Sequence, residues 1–162
     1  YGCVSMSIEK VKKYLSEWNL DSRVTEFDVS SATVDLAAAA LGVEPGMIAK
    51  SLSFNTGDKT ILVIAAGDAR IDNAKYKATF HCKAKMLSHD EVEPKTGHMV
   101  GGVCPFALND GVEVYLDESL KKFETVYPAC GTASSAIGLS IPELEECSQS
   151  MGWVDVCKIP AE

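Results

Sequence analysis

The sequence predicts an α+β domain, a mixed β-sheet with helices packed around it. Segments of helical and of strand periodicity interleave along the chain, as expected when both element types share one core. Two apolar segments between 47 and 66, joined by a short polar link, read as a hairpin, which a purely parallel doubly wound sheet would lack. No repeat, linker or low-complexity tract divides the 162 residues, so a single unit is expected over 7–159, with 1–6 a disordered lead or a cloning remnant. Apolar residues at 46% and charged residues at 23% suit a chain that buries a core.

Ile8, Val11, Leu15 and Trp18 recur at the spacing of one helical stripe, with Ser7 placed to cap a surface helix. Residues 23–29, around Val24 and Phe27, suit a short strand. Thr33 then precedes an alanine-rich run over 34–41 that stops at Gly42, a helix with both end signals. Beyond the turn at Pro45 and Gly46 come the hairpin arms, 47–54 and 60–66. The second is apolar from Ile61 to Ala66, as in a central strand covered on both faces.

Asp72 can cap a helix reaching Phe80, and Ser88 with Glu91 has capping-box spacing for a short helix at 90–95. Between 96 and 106, Gly97, Gly101, Gly102 and Pro105 crowd into an irregular loop. A strand at 112–116, a helical turn at 118–122 and a strand at 125–129 lead into small residues at 130–135. After an extension at 137–139, Ser140, Pro142 and Glu143 open a helix over 144–150, and a strand at 153–157 follows.

Several functional classes are disfavoured. No apolar run approaches the roughly 20 residues that span a bilayer, and the first residues lack a signal-peptide core, so no membrane partner and a cytoplasmic location are expected. The six cysteines form no CxxC pair and the three histidines lack ligand spacing, which points to buried thiols and no metal site. A net charge of -8 argues against coating nucleic acid with the whole surface. A local basic stretch remains: between 70 and 89, Arg70, Lys75, Lys77, Lys83 and Lys85 face only Asp72. It is either a solvated helix face with a lysine-rich loop or a docking face.

Three features can carry chemistry. Lys50 shares strand parity with Ile48, Leu52 and Phe54, so an ammonium points with large apolar residues. Desolvation is costly, and such a lysine needs an anionic or carbonyl partner, opens onto a cleft, or reaches water from the strand end. The loop from Gly97 to Phe106 can present backbone N–H groups to an anion or oxyanion, or be a tight structural turn. The small-residue bend around Gly131, Thr132 and Ser134 leaves room for a ligand or forms a plain hairpin. A nucleophilic triad from Ser134 or Cys130 with His98 lacks every supporting motif.

Ala32-Thr33-Val34 before the alanine-rich helix, Ile48-Ala49-Lys50-Ser51-Leu52, Ala66-Gly67-Asp68, Gly97-His98 followed by Gly101 to Phe106, and Gly131-Thr132 together resemble the YbaK/EbsC family, in that family's order. The family includes the editing domain inserted in bacterial prolyl-tRNA synthetases and free-standing relatives that hydrolyse mischarged tRNA. The resemblance implies an α+β fold with a mixed, partly barrel-like sheet surrounded by helices. It also implies a trans-acting deacylase for tRNA specific for proline carrying a small noncognate amino acid. Lys50 matches the family's essential lysine, and Gly101 with Pro105 its GxxxP loop.

On this mapping Lys50 and the N–H groups of Gly101, Gly102, Val103 and Cys104 form the catalytic centre, with Lys50 a clamp for a phosphate or the ester oxygen rather than a base. Pro105, His98, Gly131, Thr132 and Ser134 bind substrate, and Arg70, Lys75 and Lys77 contact the acceptor stem. The implied partners are the acceptor end of aminoacyl-tRNA and a prolyl-tRNA synthetase, with no cofactor. Residues 130–135 depart from the sequence usual in cysteine-editing members, so the amino acid removed does not follow from the resemblance. The alternatives are a noncatalytic module that binds an aminoacyl or nucleotide-like ligand or associates with a synthetase, and, disfavoured by the missing CxxC, a thiol redox protein using Cys104 or Cys130.

Overall fold

Helix α1 (Gly2–Leu15) lays its apolar stripe on the core, with Val11 and Leu15 fully buried, and a 3-10 turn carries it on to Trp18. The computed structural model describes residues 2–31 and 33–159, with 2–7 as backbone only. The helix begins at Gly2, so Ser7 lies within it rather than at its cap, and the lead expected over 1–6 is continuous with α1 from Gly2 on. Tyr1 lies outside the described residues.

Strand β1 (Thr25–Glu26) is the short remnant of the strand expected at 23–29. Helix α2 (Val34–Leu41) has the expected ends: the Thr33 side chain accepts from Leu36 N–H, and Gly42 closes it at φ +70°. The hairpin is β2 (Ala49–Thr56) and β3 (Lys59–Ala66), in register from Thr56 opposite Lys59 to Ala49 opposite Ala66. At the end of β3, Gly67 packs so closely that a Cβ there would stand 2.1 Å from the carbonyl oxygen of Pro45.

After β4 (Arg70–Ile71), Asp72 caps α3 (Asn73–Phe80) by accepting from the N–H groups of Ala74 and Lys75. The Ser88 N–H donates to Glu91 Oε1 at 2.9 Å at the start of α4 (His89–Thr96). The chain continues through β5 (Glu113–Asp117), a 3-10 turn at Glu118–Lys122, β6 (Thr125–Val126), β7 (Ser135–Ala136) and β8 (Leu139–Ser140). It then forms α5 (Ile141–Ser148), β9 (Gly152–Val154) and β10 (Cys157–Lys158). Ser140 and Glu143 form the expected capping box of α5.

The main sheet has the order β2-β3-β5-β9, antiparallel at β2/β3 and parallel at the other two pairings, so it is mixed as expected. Strand β3 is central, with Ile61 through Ala66 all buried. The expectation of a partly barrel-like sheet is not met: among the described residues this sheet is open, and the remaining strands form the separate ribbons β1/β7, β4/β10 and β6/β8. Interrupted strands account for this. The strand expected at 125–129 ends at Val126, ahead of Pro128, which has no N–H to donate. The last strand breaks where the buried Asp117 carboxylate accepts from the Ser119 and Val156 N–H groups, both at 2.9 Å.

Candidate functional site

The site is organised by β2, an edge strand. A two-residue turn closes the hairpin at Thr56 and Lys59, so the odd-numbered residues of β2 turn their N–H and C=O groups away from β3. Toward one end these outward groups meet Tyr127: Ala49 N–H donates to Tyr127 O at 3.2 Å, and Tyr127 N–H to Met47 O at 2.9 Å. Toward the other they meet 85–87: Asn55 N–H donates to Lys85 O and Leu87 N–H to Ser53 O. Between these flanks the edge is open. A cleft of ≈ 230 Å³ lies there, lined by Ala49, Lys50, Ser51 and Ser53 of β2 and, among others, by Thr33 and Val34 at the start of α2, Tyr127 and Ser135.

Lys50 is half-buried and lines this cleft. Its ammonium donates to the carbonyl oxygens of Gly67, at 3.3 Å, and Ala69. Of the partners expected for a lysine in an apolar strand, the structure supplies carbonyls of its own chain. They take two of the three ammonium protons and leave one donor and the full positive charge. Burial pulls its pKa below the ordinary lysine value.

The glycine loop divides in two. Gly101 and Val103 line the cleft, and their N–H groups have no hydrogen-bond partner among the described residues. Gly102, Cys104, Pro105 and His98 are buried and do not line it. Gly102 presses on the small-residue bend: a Cβ there would meet the Gly131 carbonyl and Thr132 N at 2.6 to 2.7 Å. Pro105 lines a different surface cavity, beside Tyr14 and Leu108. His98 Nε2–H donates to Phe106 O at 2.6 Å, with Cys104 Sγ at 3.5 Å from the same nitrogen. Burial holds the His98 imidazole down to about 4 and pushes the Cys104 thiol up to about 12, so at neutral pH the imidazole is uncharged and the thiol keeps its proton.

The bend at 130–135 is structural at most positions. Thr132 Oγ1 donates to Ser135 Oγ at 2.8 Å and accepts from Ser134 N–H, Ser134 O accepts from Phe27 N–H, and Gly131 is buried under Gly102. Gly131, Thr132 and Ser134 do not line the cleft, whereas Ser135 and Ala136 do. Cys130 is fully buried, its thiol pushed well up, so the Cys130 or Ser134 triad with His98 is not assembled.

Arg70, Lys75 and Lys77 also lie outside the cleft lining. Arg70 and Lys77 are exposed, whereas Lys75 is tied to Asp155 at 3.1 Å and to Cys157 O at 3.0 Å. Among the described residues no three His, Cys, Asp or Glu side chains group to hold a metal ion, and no helix is long and apolar enough to cross a membrane.

Sequence reasoning missed the cleft's hydroxyls. Ser31 and Ser51 line it, and each buries its Oγ without a hydrogen-bond partner among the described residues. Ser51 adjoins the lysine and was open to suspicion by that position alone. Ser31 carried no local signal, since only its backbone bond to Ala133, N–H to O at 2.6 Å, brings it to the cleft.

The profile of the family described as the aminoacyl-tRNA editing domain matches residues 29–147, which contain the whole cleft lining. The Bacillus subtilis protein YwhH, itself uncharacterized, is 56% identical over 154 residues, 94% of this chain and 98% of its own length. The proline--tRNA ligase of Bacillus subtilis is 31% identical over 90 residues, 55% of this chain but 16% of that enzyme. A solved structure provisionally assigned as a trans-editing enzyme for prolyl-tRNA synthetase superposes with a TM-score of 0.84 at 29% identity, over 94% of this chain and 97% of its own.

Proposed function

As the chain belongs to the family of aminoacyl-tRNA editing domains, we propose that it acts in trans on mischarged tRNA specific for proline, hydrolysing the ester of a small noncognate amino acid. The observation that carries the reading is the cleft at the β2 edge: a lysine charge and two unpartnered loop N–H groups around a space of ≈ 230 Å³. Small volume favours a small side chain, and a methylene more or less in such a pocket is worth about 1–3 kcal/mol. The likeness to a structure assigned to editing for prolyl-tRNA synthetase supports the choice of tRNA, and that synthetase is the proposed partner.

In this mechanism water adds to the ester carbonyl, the oxyanion forms, and the bond to the terminal ribose oxygen breaks, releasing a free carboxylate and a ribose hydroxyl. The N–H groups of Gly101 and Val103 receive the oxyanion, and the remaining donor and charge of Lys50 hold the terminal phosphate or the ester oxygen. Lys50 is a clamp, because two carbonyls already hold its ammonium and no proton transfer is asked of it. With His98 and Cys104 buried and away from the cleft lining, a proton of the attacking water is relayed, through solvent or the substrate's own vicinal ribose hydroxyl, to the leaving ribose oxygen, and the carboxylic acid formed loses its proton to solvent. Arg70 and Lys77, exposed and without a carboxylate at bonding distance among the described residues, take acceptor-stem phosphates, which makes affinity fall as salt rises.

The test is a deacylation panel on this tRNA charged with alanine, cysteine, serine or proline. Hydrolysis of a noncognate ester with the proline ester spared is the expected result. Hydrolysis of none would overturn the reading in favour of a noncatalytic binding module.

A further inference from the structure

The gap in the β2 edge has a chemical polarity of its own. Between Ala49 N–H, bonded to Tyr127, and Ser53 O, bonded to Leu87, the outward backbone groups are Ala49 O, Ser51 N–H, Ser51 O and Ser53 N–H. None has a hydrogen-bond partner among the described residues, although Ala49 and Ser53 are buried and Ser51 half-buried. Backbone polar groups in such surroundings are nearly always paired. The strand that would continue alongside is Tyr127–Pro128–Ala129, but it turns away: Pro128 O accepts from Ile137 N–H instead. A second, independent feature points into the same space, the unpartnered Oγ of Ser31, a residue only 8% exposed.

We propose that this gap reads the free α-ammonium and the acyl carbonyl of the aminoacyl group through main-chain hydrogen bonds to Ser51. The inference rests on the hydrolase reading above and names its substrate class more narrowly. An aminoacyl group carries a donor and an acceptor on either side of one Cα, the spacing by which a residue in an added antiparallel strand pairs with its opposite. Ser51 N–H donates to the acyl oxygen. Ser51 O accepts from the α-ammonium, and the Ser31 hydroxyl takes another of its protons. An acylated nitrogen carries no charge, has a single N–H and brings extra bulk into a gap one strand wide. The site therefore accepts aminoacyl esters and rejects N-acylated ones, formylated and peptidyl esters among them, whatever the side chain.

The experiment uses the full chain and two non-hydrolysable probes, 3′-alanylamido-3′-deoxyadenosine and its N-acetyl form, followed by amide NMR. The free-amine probe is expected to shift the Ser51 amide and to bind about tenfold or more tighter than the N-acetyl probe. Ser51→Pro removes the outward N–H without touching the β2/β3 ladder. It should keep the unfolding transition and lose the preference. Equal affinity for the two probes, an unmoved Ser51 amide, or no binding of either overturns the proposal. Its fate separates from that of the hydrolase reading: a protein that binds the free-amine probe selectively yet deacylates no charged tRNA keeps the recognition and loses the enzyme. One that deacylates free and N-acetylated esters alike does the reverse.

Discussion

The back of the glycine loop and the edge of β2 sit a few side chains apart and are built on opposite rules. Behind the loop, Cys104 and Thr132 are buried and hydrogen-bonded, His98 is buried and bonded through Nε2, and Gly102 lies flat against Gly131. Along the edge, backbone groups and two serine hydroxyls reach a cleft without a hydrogen-bond partner among the described residues. A bond already made within the protein stabilises it and has little left for a ligand, whereas a polar group left open contributes little stability and is available to bind. Residues conspicuous in sequence, such as His98 and Cys104, thus fall on the structural side, and the inconspicuous Ser31 on the other.

The largest effect expected on activity lies with Lys50 on β2, which lines the cleft while its ammonium is held by the turn after β3. Lys50→Ala should lower single-turnover deacylation by about 100-fold. Urea unfolding should show a smaller loss, since the carbonyls of Gly67 and Ala69 forfeit their donor. Full activity in this variant would remove Lys50 from the site.

The buried side carries the largest pH dependence. His98 is held neutral with a pKa of about 4, below its ordinary 6.5, so the unfolded chain takes up the proton first. Stability should be full above about 6.5 and fall as pH drops toward 4, by up to about 3 kcal/mol. His98→Gln should flatten that slope in urea titrations at pH 7 and 4.5. Glu91 and Glu143, held at about 2 chiefly by the Ser88 N–H and by Arg23 respectively, lose their contribution only below the ordinary carboxylate value of 4.5.

Gly102→Ala forces a methyl group into the Gly131 backbone and should cost about 1–3 kcal/mol, read as a lower urea midpoint at unchanged slope. The smallest effects form a matched pair. Thr132→Val breaks a buried hydroxyl bond and should cost about 1 kcal/mol with little change in KM. Ser31→Ala removes a hydroxyl without a hydrogen-bond partner among the described residues, so stability should hold within about 0.5 kcal/mol while KM for the charged tRNA rises. Destabilisation by Ser31→Ala with KM unchanged would erase the distinction between the two regions.

Much of the framework was legible locally. Thr33 and Gly42 bound α2, Asp72 caps α3, Ser140 and Glu143 open α5, and the apolar run at 61–66 is the central strand, because caps and periodicity act within a few residues. The strands at 125–129 and 153–157 were read too long, since their ends depend on distant groups, the chain beyond Pro128 and the carboxylate of Asp117. In the site, strand parity marked Lys50 as needing a partner and the loop glycines marked a close backbone approach. Neither indicated that the partner is the turn after β3, nor that Gly101 and Val103 face the cleft while Gly102 and Cys104 turn inward.

The sequence by itself determined which segments become helices and strands, that a cation must be accommodated on β2, and which family the motifs resemble. All of these are written in neighbouring residues. Only the tertiary structure decided which hydrogen bonds close and which stay open. The partner of an outward backbone group on an edge strand comes from a segment tens of residues away, and where that segment turns aside at Pro128 the gap it leaves is the cleft on which the proposed function rests.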